Sequence, residues 1–211
     1  MNLNTVIESK ILLYKLNKVY ELYFKHGSRS DKKVNYFHNF IKNIINKHIN
    51  NNPNYKVYLE QNIPSINSSN KKRCDIVVYK NKEPYLIFPT KIIMTNYKQN
   101  KNNSWENLTG ELMHLKWANK NINIIPINIF IDKTPYLDKN NIIKKIELIS
   151  KIDIDHYDIL IKNNIAYDIL NYIIEVKHFN QINEIYNTTP MFIKYKYQYK
   201  SLNNLLKTLI I

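Results

Sequence analysis

Apolar positions recur at helical spacing from the start of the chain. Val6, Leu13, Leu16, Val19, Tyr20 and Tyr23 predict a helix over 6–24. A turn at 25–31 contains Gly27, and Ser30 or Asp31 is placed to cap the next helix. That helix covers 32–49, with Val34, Phe37, Ile41, Ile44, Ile45 and His48 along one face. The polar run 50–54, with Pro53, ends it. Alternation over 55–63 predicts a strand, with Val57 and Leu59 on one side and Tyr58 and Glu60 on the other. A polar loop occupies 64–72. Residues 73–91 then read as two apolar strands joined by a short polar turn, with Asp75 opening the first and Lys91 closing the second. In an antiparallel hairpin those two ends lie side by side.

Residues 96–104 are polar and predict irregular chain. The stripe Leu108, Leu112, Leu115 predicts a helix over 105–118, with Ser104 as its N-cap. The apolar run 122–131 reads as a strand buried on both faces, with a bulge or edge position at Pro126. Reached through a helical crossover, it is expected to run parallel to the strand before that helix. Further on, helices are expected at 141–150 and 167–180, a strand at 191–199 and a short helix at 202–210. The fold class is α/β (α+β), a central mixed sheet flanked by helices. A core at 1–138 carries a mostly helical C-terminal extension, 139–211, packed on it as one structural domain.

Charge changes this picture. Lys+Arg is 31 against 17 Asp+Glu, a formal net charge of +14, which favours an anionic partner. Only Arg29 and Arg73 are arginines; lysine, asparagine, isoleucine and tyrosine dominate, as an A/T-rich coding sequence would also produce. Cys74 is the one cysteine, so no intrachain disulfide can form and an intracellular (cytoplasmic) location is expected. Beside Asp75 it reads as a small buried hydrophobe, not as a nucleophile. No apolar run approaches the ~20 residues of a membrane span, and the first ten residues lack a signal-peptide core.

With Asp75 at the start of one strand and Lys91 at the end of the next, the order helix, three strands, helix, strand resembles the PD-(D/E)XK nuclease superfamily. Type II restriction endonucleases are its best-known members. The resemblance covers roughly residues 32–131. It implies a restriction-endonuclease-like core and a Mg2+-dependent, sequence-specific endonuclease that hydrolyses phosphodiester bonds of double-stranded DNA, with a homodimer matching a palindromic site. Asp75 takes the place of the metal-binding acid and Lys91 that of the lysine near the attacking water. The second acid, two residues before the lysine, is replaced by Pro89. Some members carry that acid on the following helix, where this chain offers Glu106 and Glu111. Spacing from Lys91 favours Glu106, and proximity to the leucine stripe favours Glu111. Glu60 is a third candidate. The carbonyl of Thr90 adds an oxygen ligand, since Mg2+ takes few, hard oxygen donors. The alternative is a non-catalytic nucleic-acid-binding protein on the same scaffold, which Pro89 favours.

Basic and amide-bearing residues flank this centre. Lys71, Lys72 and Arg73 suit phosphate; Asn96, Lys98, Gln99, Asn100, Lys101, Asn102 and Asn103 suit phosphate or base edges. Glu175-Val176-Lys177 spells a second ExK, with Asp158 upstream. Its surroundings (Ile165, Ile169, Tyr172, Ile173, Val176, Phe179) have helical spacing, so it is assigned to a helix and set aside. His26, His38, His48, His114, His156 and His178 show no zinc spacing. Only Gly27 and Gly110 are available for phosphate loops, which excludes Walker and Rossmann signatures.

Overall fold

A computed structural model describes residues 3–50, 52–177 and 180–210. Two long helices open the chain, α1 (Leu3–His26) and α2 (Lys32–Ile49). Leu12, Leu16, Val19 and Tyr20 of α1 and Phe37, Ile41 and Ile45 of α2 are buried, the stripe their spacing predicts. Asp31 precedes α2 without a side-chain cap bond, and the Ser30 hydroxyl accepts from the Lys32 amide at 3.3 Å. Strands β1 (Tyr55–Pro64), β2 (Lys71–Lys80) and β3 (Glu83–Ile87) form an antiparallel meander, and β5 (Asn123–Ile124) joins its far edge parallel to β3. A second sheet has the order β10 (Met191–Tyr195), β9 (Leu170–Lys177), β6 (Ile127–Ile131), β4 (Thr90–Ile93). The pairs β4–β6 and β6–β9 are parallel and β9–β10 is antiparallel. The architecture is α+β with a mixed sheet at its centre.

Two chain segments pass from the first sheet into the second, and each does so at a proline. One breaks at Phe88-Pro89 between β3 and β4, the other at Ile125-Pro126 between β5 and β6. The amide hydrogens of Ile125 and Ile127 donate to Ile87 and Pro89 carbonyls, both at 2.8 Å, so the pairing continues across the break. Proline lacks the amide a regular ladder would use, which suits it to this crossing. The hairpin read over 73–91 therefore stops at Ile87, and Lys91 belongs to β4. The apolar run 122–131 is likewise two strands rather than one. It does run parallel to the strand before the helix, as expected.

Helices α1, α2 and α5 (Leu202–Leu209) cover one face, with a core of Leu16, Phe37, Ile76, Leu86, Ile129 and Leu206. Helix α3 (Tyr97–Ala118) and α4 (Asp158–Lys162) cover the other, with Leu108, Leu112, Leu115, Val77, Phe130 and Leu160. Several expectations are corrected here. Helix α3 begins at Tyr97, so 96–103 is not irregular; Asn96, not Ser104, is its N-cap. Residues 141–150 hold strand β8 (Ile143–Leu148), paired with β7 (Lys133–Leu137). Residues 167–180 hold β9, with His178 and Phe179 outside the described residues. The strand at 191–199 ends at Tyr195. The chain after 139 is thus not mostly helical: it supplies β8, β9 and β10. Among the described residues no helix is long and apolar enough to cross a membrane.

Candidate active site

Strand pairing places Glu60 at the position facing Asp75, between the partners Leu59↔Ile76 and Gln61↔Cys74. Glu60 has a left-handed backbone, φ 55°. A non-glycine residue pays for such a conformation, and functional sites are where it is commonly kept. The strand pair changes faces there. Leu59, Ile76 and Val78 pack into the α1/α2 core, whereas Ile63 and Cys74 pack into the α3 core. Asp75 therefore stands where the two cores meet, within reach of residues from both.

On the α2 side, Asp75 Oδ2 accepts from the Thr90 amide at 2.7 Å and from the Thr90 hydroxyl at 3.1 Å. His38 is 1% exposed, so its ring is dry. Its Nε2 lies 2.5 Å from Thr90 Oγ1 and 3.8 Å from Asp75 Oδ2, and its Nδ1 lies 3.1 Å from Glu60 Oε1. An ionised carboxylate only accepts, which assigns a proton to Nδ1. Arg73 Nε donates to the other Glu60 oxygen at 2.7 Å. His38, Glu60 and Asp75 have ligand atoms all within 4.8 Å of one another, a grouping that can also hold a cation. No second histidine or cysteine stands at metal spacing from His38, so the sequence carries no cluster signal for it. Its signal is its place on the buried face of α2, beside Phe37, Ile41 and Ile45.

On the α3 side, a cavity of about 260 Å3 is lined by Lys72, Arg73, Asp75, Pro89, Thr90, Lys91, Asn107, Leu108, Glu111 and Asn128. Asp75, Lys91 and Glu111 thus share one cavity, joined by Thr90. Glu111 Oε2 is paired with Lys72 Nζ at 3.2 Å. Burial pushes the Glu111 carboxyl up, against the pull of Lys72, and the nearby Asp75 adds to the rise. Burial also lowers the Lys91 ammonium, which Glu111 only partly opposes. Lys91 Nζ donates to the Ser104 carbonyl at 3.4 Å. The Cys74 thiol is pushed up to about 12, by burial first and then by Glu111 and Asp75, so it is inert as a nucleophile.

The remaining sequence candidates separate from this centre. Glu106 is exposed on α3 and does not line the cavity; Glu111, favoured by helical phase, lines it, and Glu106, favoured by distance from Lys91, does not. Of the basic cluster, Lys72 and Arg73 are engaged by Glu111 and Glu60, and Lys71 is exposed. Asn96 clasps β7: its Oδ1 accepts from the Leu137 amide at 2.8 Å and its Nδ2 donates to the Leu137 carbonyl at 3.3 Å. Lys98, Gln99, Asn100, Asn102 and Asn103 are exposed on the first turns of α3, and Lys101 is 3.9 Å from Asp153. The second ExK lies on β9, a strand, so the helical reading that set it aside is overturned. Glu175 is nonetheless paired with Lys194 at 3.3 Å and lies outside the cavity. Comparison with protein-family models, with curated proteins and with solved structures gives no match to this chain.

Proposed function

We propose that this chain is a Mg2+-dependent endonuclease of the PD-(D/E)XK type that hydrolyses double-stranded DNA, with its second acid carried on the helix after the lysine. One observation supports this above the others: Asp75, Lys91 and Glu111 line a single cavity bordered by Lys72 and Arg73. The donor set suits a hard divalent cation. Two carboxylates face the cavity, and the Lys72 ammonium already sits on one of them. The Thr90 amide points to Asp75, and in an extended residue the carbonyl shares that edge, which makes it a third oxygen donor. When bound, Mg2+ neutralises phosphate charge and makes water a better nucleophile.

The protein's own groups do the rest. Every contact to Asp75 among the described residues falls on Oδ2, so the carboxylate is locked by Thr90 while Oδ1 remains for a ligand. His38 fixes the Thr90 hydroxyl and so holds Asp75 in place from behind. Lys91, made less basic by burial, is suited to orient the attacking water and take its proton. Lys71, Lys72 and Arg73 hold the scissile phosphate and its neighbours. The exposed polar residues on the first turns of α3 contact the duplex. A homodimer places two such centres on the two strands of a palindrome.

The test is plasmid cleavage in Mg2+ and in EDTA. Cleavage is expected only with the metal, and Asp75→Asn, Lys91→Ala and Glu111→Gln should each slow it by about 100-fold or more. The competing reading is a nucleic-acid-binding protein without chemistry, favoured by Pro89 and by the ion pairs that occupy Glu60 and Glu111. Intact plasmid at every Mg2+ and Mn2+ level, together with salt-sensitive DNA affinity, would select it. An affinity that ignores salt would remove both.

A further inference from the structure

Across the second sheet, Lys91, Asn128 and Asn171 stand side by side on three parallel strands, paired Lys91↔Asn128 and Asn128↔Asn171. Residues in register on adjacent strands present their side chains to the same face. Asn128 is 1% exposed and sits among apolar neighbours of β6. Its Nδ2 donates to Asn171 Oδ1 at 2.8 Å, while its Oδ1 is buried with no partner among the described residues. A buried amide oxygen left unpaired is costly, so its place in a cavity wall fits a partner that arrives later. Asn171 fixes the amide on one side, which turns the oxygen toward the Lys91 side of the sheet. The opposite orientation would face an NH2 group toward an ammonium. Both Lys91 and Asn128 line the cavity that holds Asp75 and Glu111. Among the described residues Lys91 is meanwhile held by one long hydrogen bond, 3.4 Å, to the Ser104 carbonyl.

We infer that Asn128 is a positioning residue for Lys91: its free oxygen exchanges with the Ser104 carbonyl as a partner of the Lys91 amine and holds that amine toward the cavity, where the reacting phosphate would lie. This rests on the nuclease reading for its catalytic meaning, but the Asn128–Lys91 contact can be read separately.

Two readouts apply to Asn128→Leu, Asn128→Asp and Asn171→Leu. The first is acylation of Lys91 by a water-soluble amine reagent, followed by peptide mass spectrometry with exposed Lys98 as internal standard. Asn128→Leu should raise the Lys91:Lys98 labelling ratio at least threefold, and Asn171→Leu should move it the same way. Asn128→Asp, which keeps an oxygen there and adds charge, should stay at or below wild type. The second is DNA cleavage: Asn128→Leu should lower kcat at least tenfold with KM within twofold, and Asn128→Asp should recover most of the loss. Folded Asn128→Leu with unchanged labelling and unchanged kcat overturns the inference; if that variant does not fold, unchanged values in Asn171→Leu do so. If wild type cuts no DNA, the nuclease reading falls, and the labelling ratio alone decides whether Asn128 holds Lys91.

Discussion

A buried imidazole whose two nitrogens contact an acid and a hydroxyl is tied into everything around it. His38 is such a group, between Glu60 and Thr90, and Thr90 is the residue that restrains Asp75. Removing the ring leaves a cavity at the seam of two cores and leaves Thr90 Oγ1 with only Asp75. Two lost polar contacts and the void should together destabilise His38→Ala by about 2–4 kcal/mol in urea unfolding. The same change frees Asp75 to rotate, so on the proposed nuclease reading turnover should fall further than DNA affinity does. A variant as stable as wild type with unaltered kcat would mean that the His38–Thr90–Asp75 chain is incidental. Sequence patterns supply Asp75, Lys91 and Glu111 because each has a motif position or a helical phase. They do not supply His38, Thr90 Oγ1 or Asn128, whose roles come from the face inversion at Glu60 and from strand neighbours far apart in the chain.

At the scale of elements, the sequence is legible where one face is wet and unreadable where neither is. Helix α2 and strand β1 each have a solvent side, and their patterns locate them within a residue. Strand β9 is flanked by β6 and β10 and covered on both faces, so its apolar residues do not alternate cleanly with polar ones. Ile169, Tyr172, Ile173 and Val176 then mimic a helical stripe by chance of spacing. The start of α3 fails for a different reason. Its asparagines have weak helix propensity, and the helix is begun by Asn96 gripping β7, a contact across the fold. Hairpin β7–β8 depends on a similar device. Asp138 accepts from the amides of Asn140 at 2.8 Å and Ile142 at 3.0 Å, with Lys144 3.3 Å away. The Ile142 bond first, then Asn140 and Lys144, hold this carboxyl below its ordinary 3.8. A depressed carboxyl contributes stability that is present above the ordinary value and lost as pH falls through the lowered one. Asp138→Ala should therefore melt earlier than wild type at neutral pH, and the gap should narrow on acidification into the range below 3.8. A gap that stays constant down to pH 2 would assign the effect to packing rather than charge.

For the molecule as a whole, the decisive contacts join its two ends. Glu8 of α1 is buried, and its carboxylate accepts from the Tyr199 hydroxyl at 2.8 Å, from the Asn203 amide at 3.2 Å and from the Ser201 hydroxyl. Ser201 in turn caps α5 by accepting from the Asn204 amide at 3.1 Å. Nearby, the Tyr195 hydroxyl donates to the Ser9 carbonyl at 2.9 Å, and Tyr20 meets Phe192 edge-on at 5.0 Å. The last segment is thus a lid over the first helix, closed by one acid with three donors. Charge-accepting bonds of this kind are each worth about 1.5–3 kcal/mol, and their loss leaves donors buried without partners. Glu8→Ala should lower unfolding free energy by about 4 kcal/mol or more, with Glu8→Gln intermediate because one of its two side-chain termini still accepts. Amide exchange should accelerate most over α5 and β10, since those elements lose their anchor to α1. The cavity lined by Asp75, Lys91 and Glu111, on the far side of the sheet, should keep its Lys91 reactivity while the protein stays folded. Uniform acceleration across every element would instead show that the two ends and the seam at Asp75 unfold as one unit, with Glu8 stabilising them together.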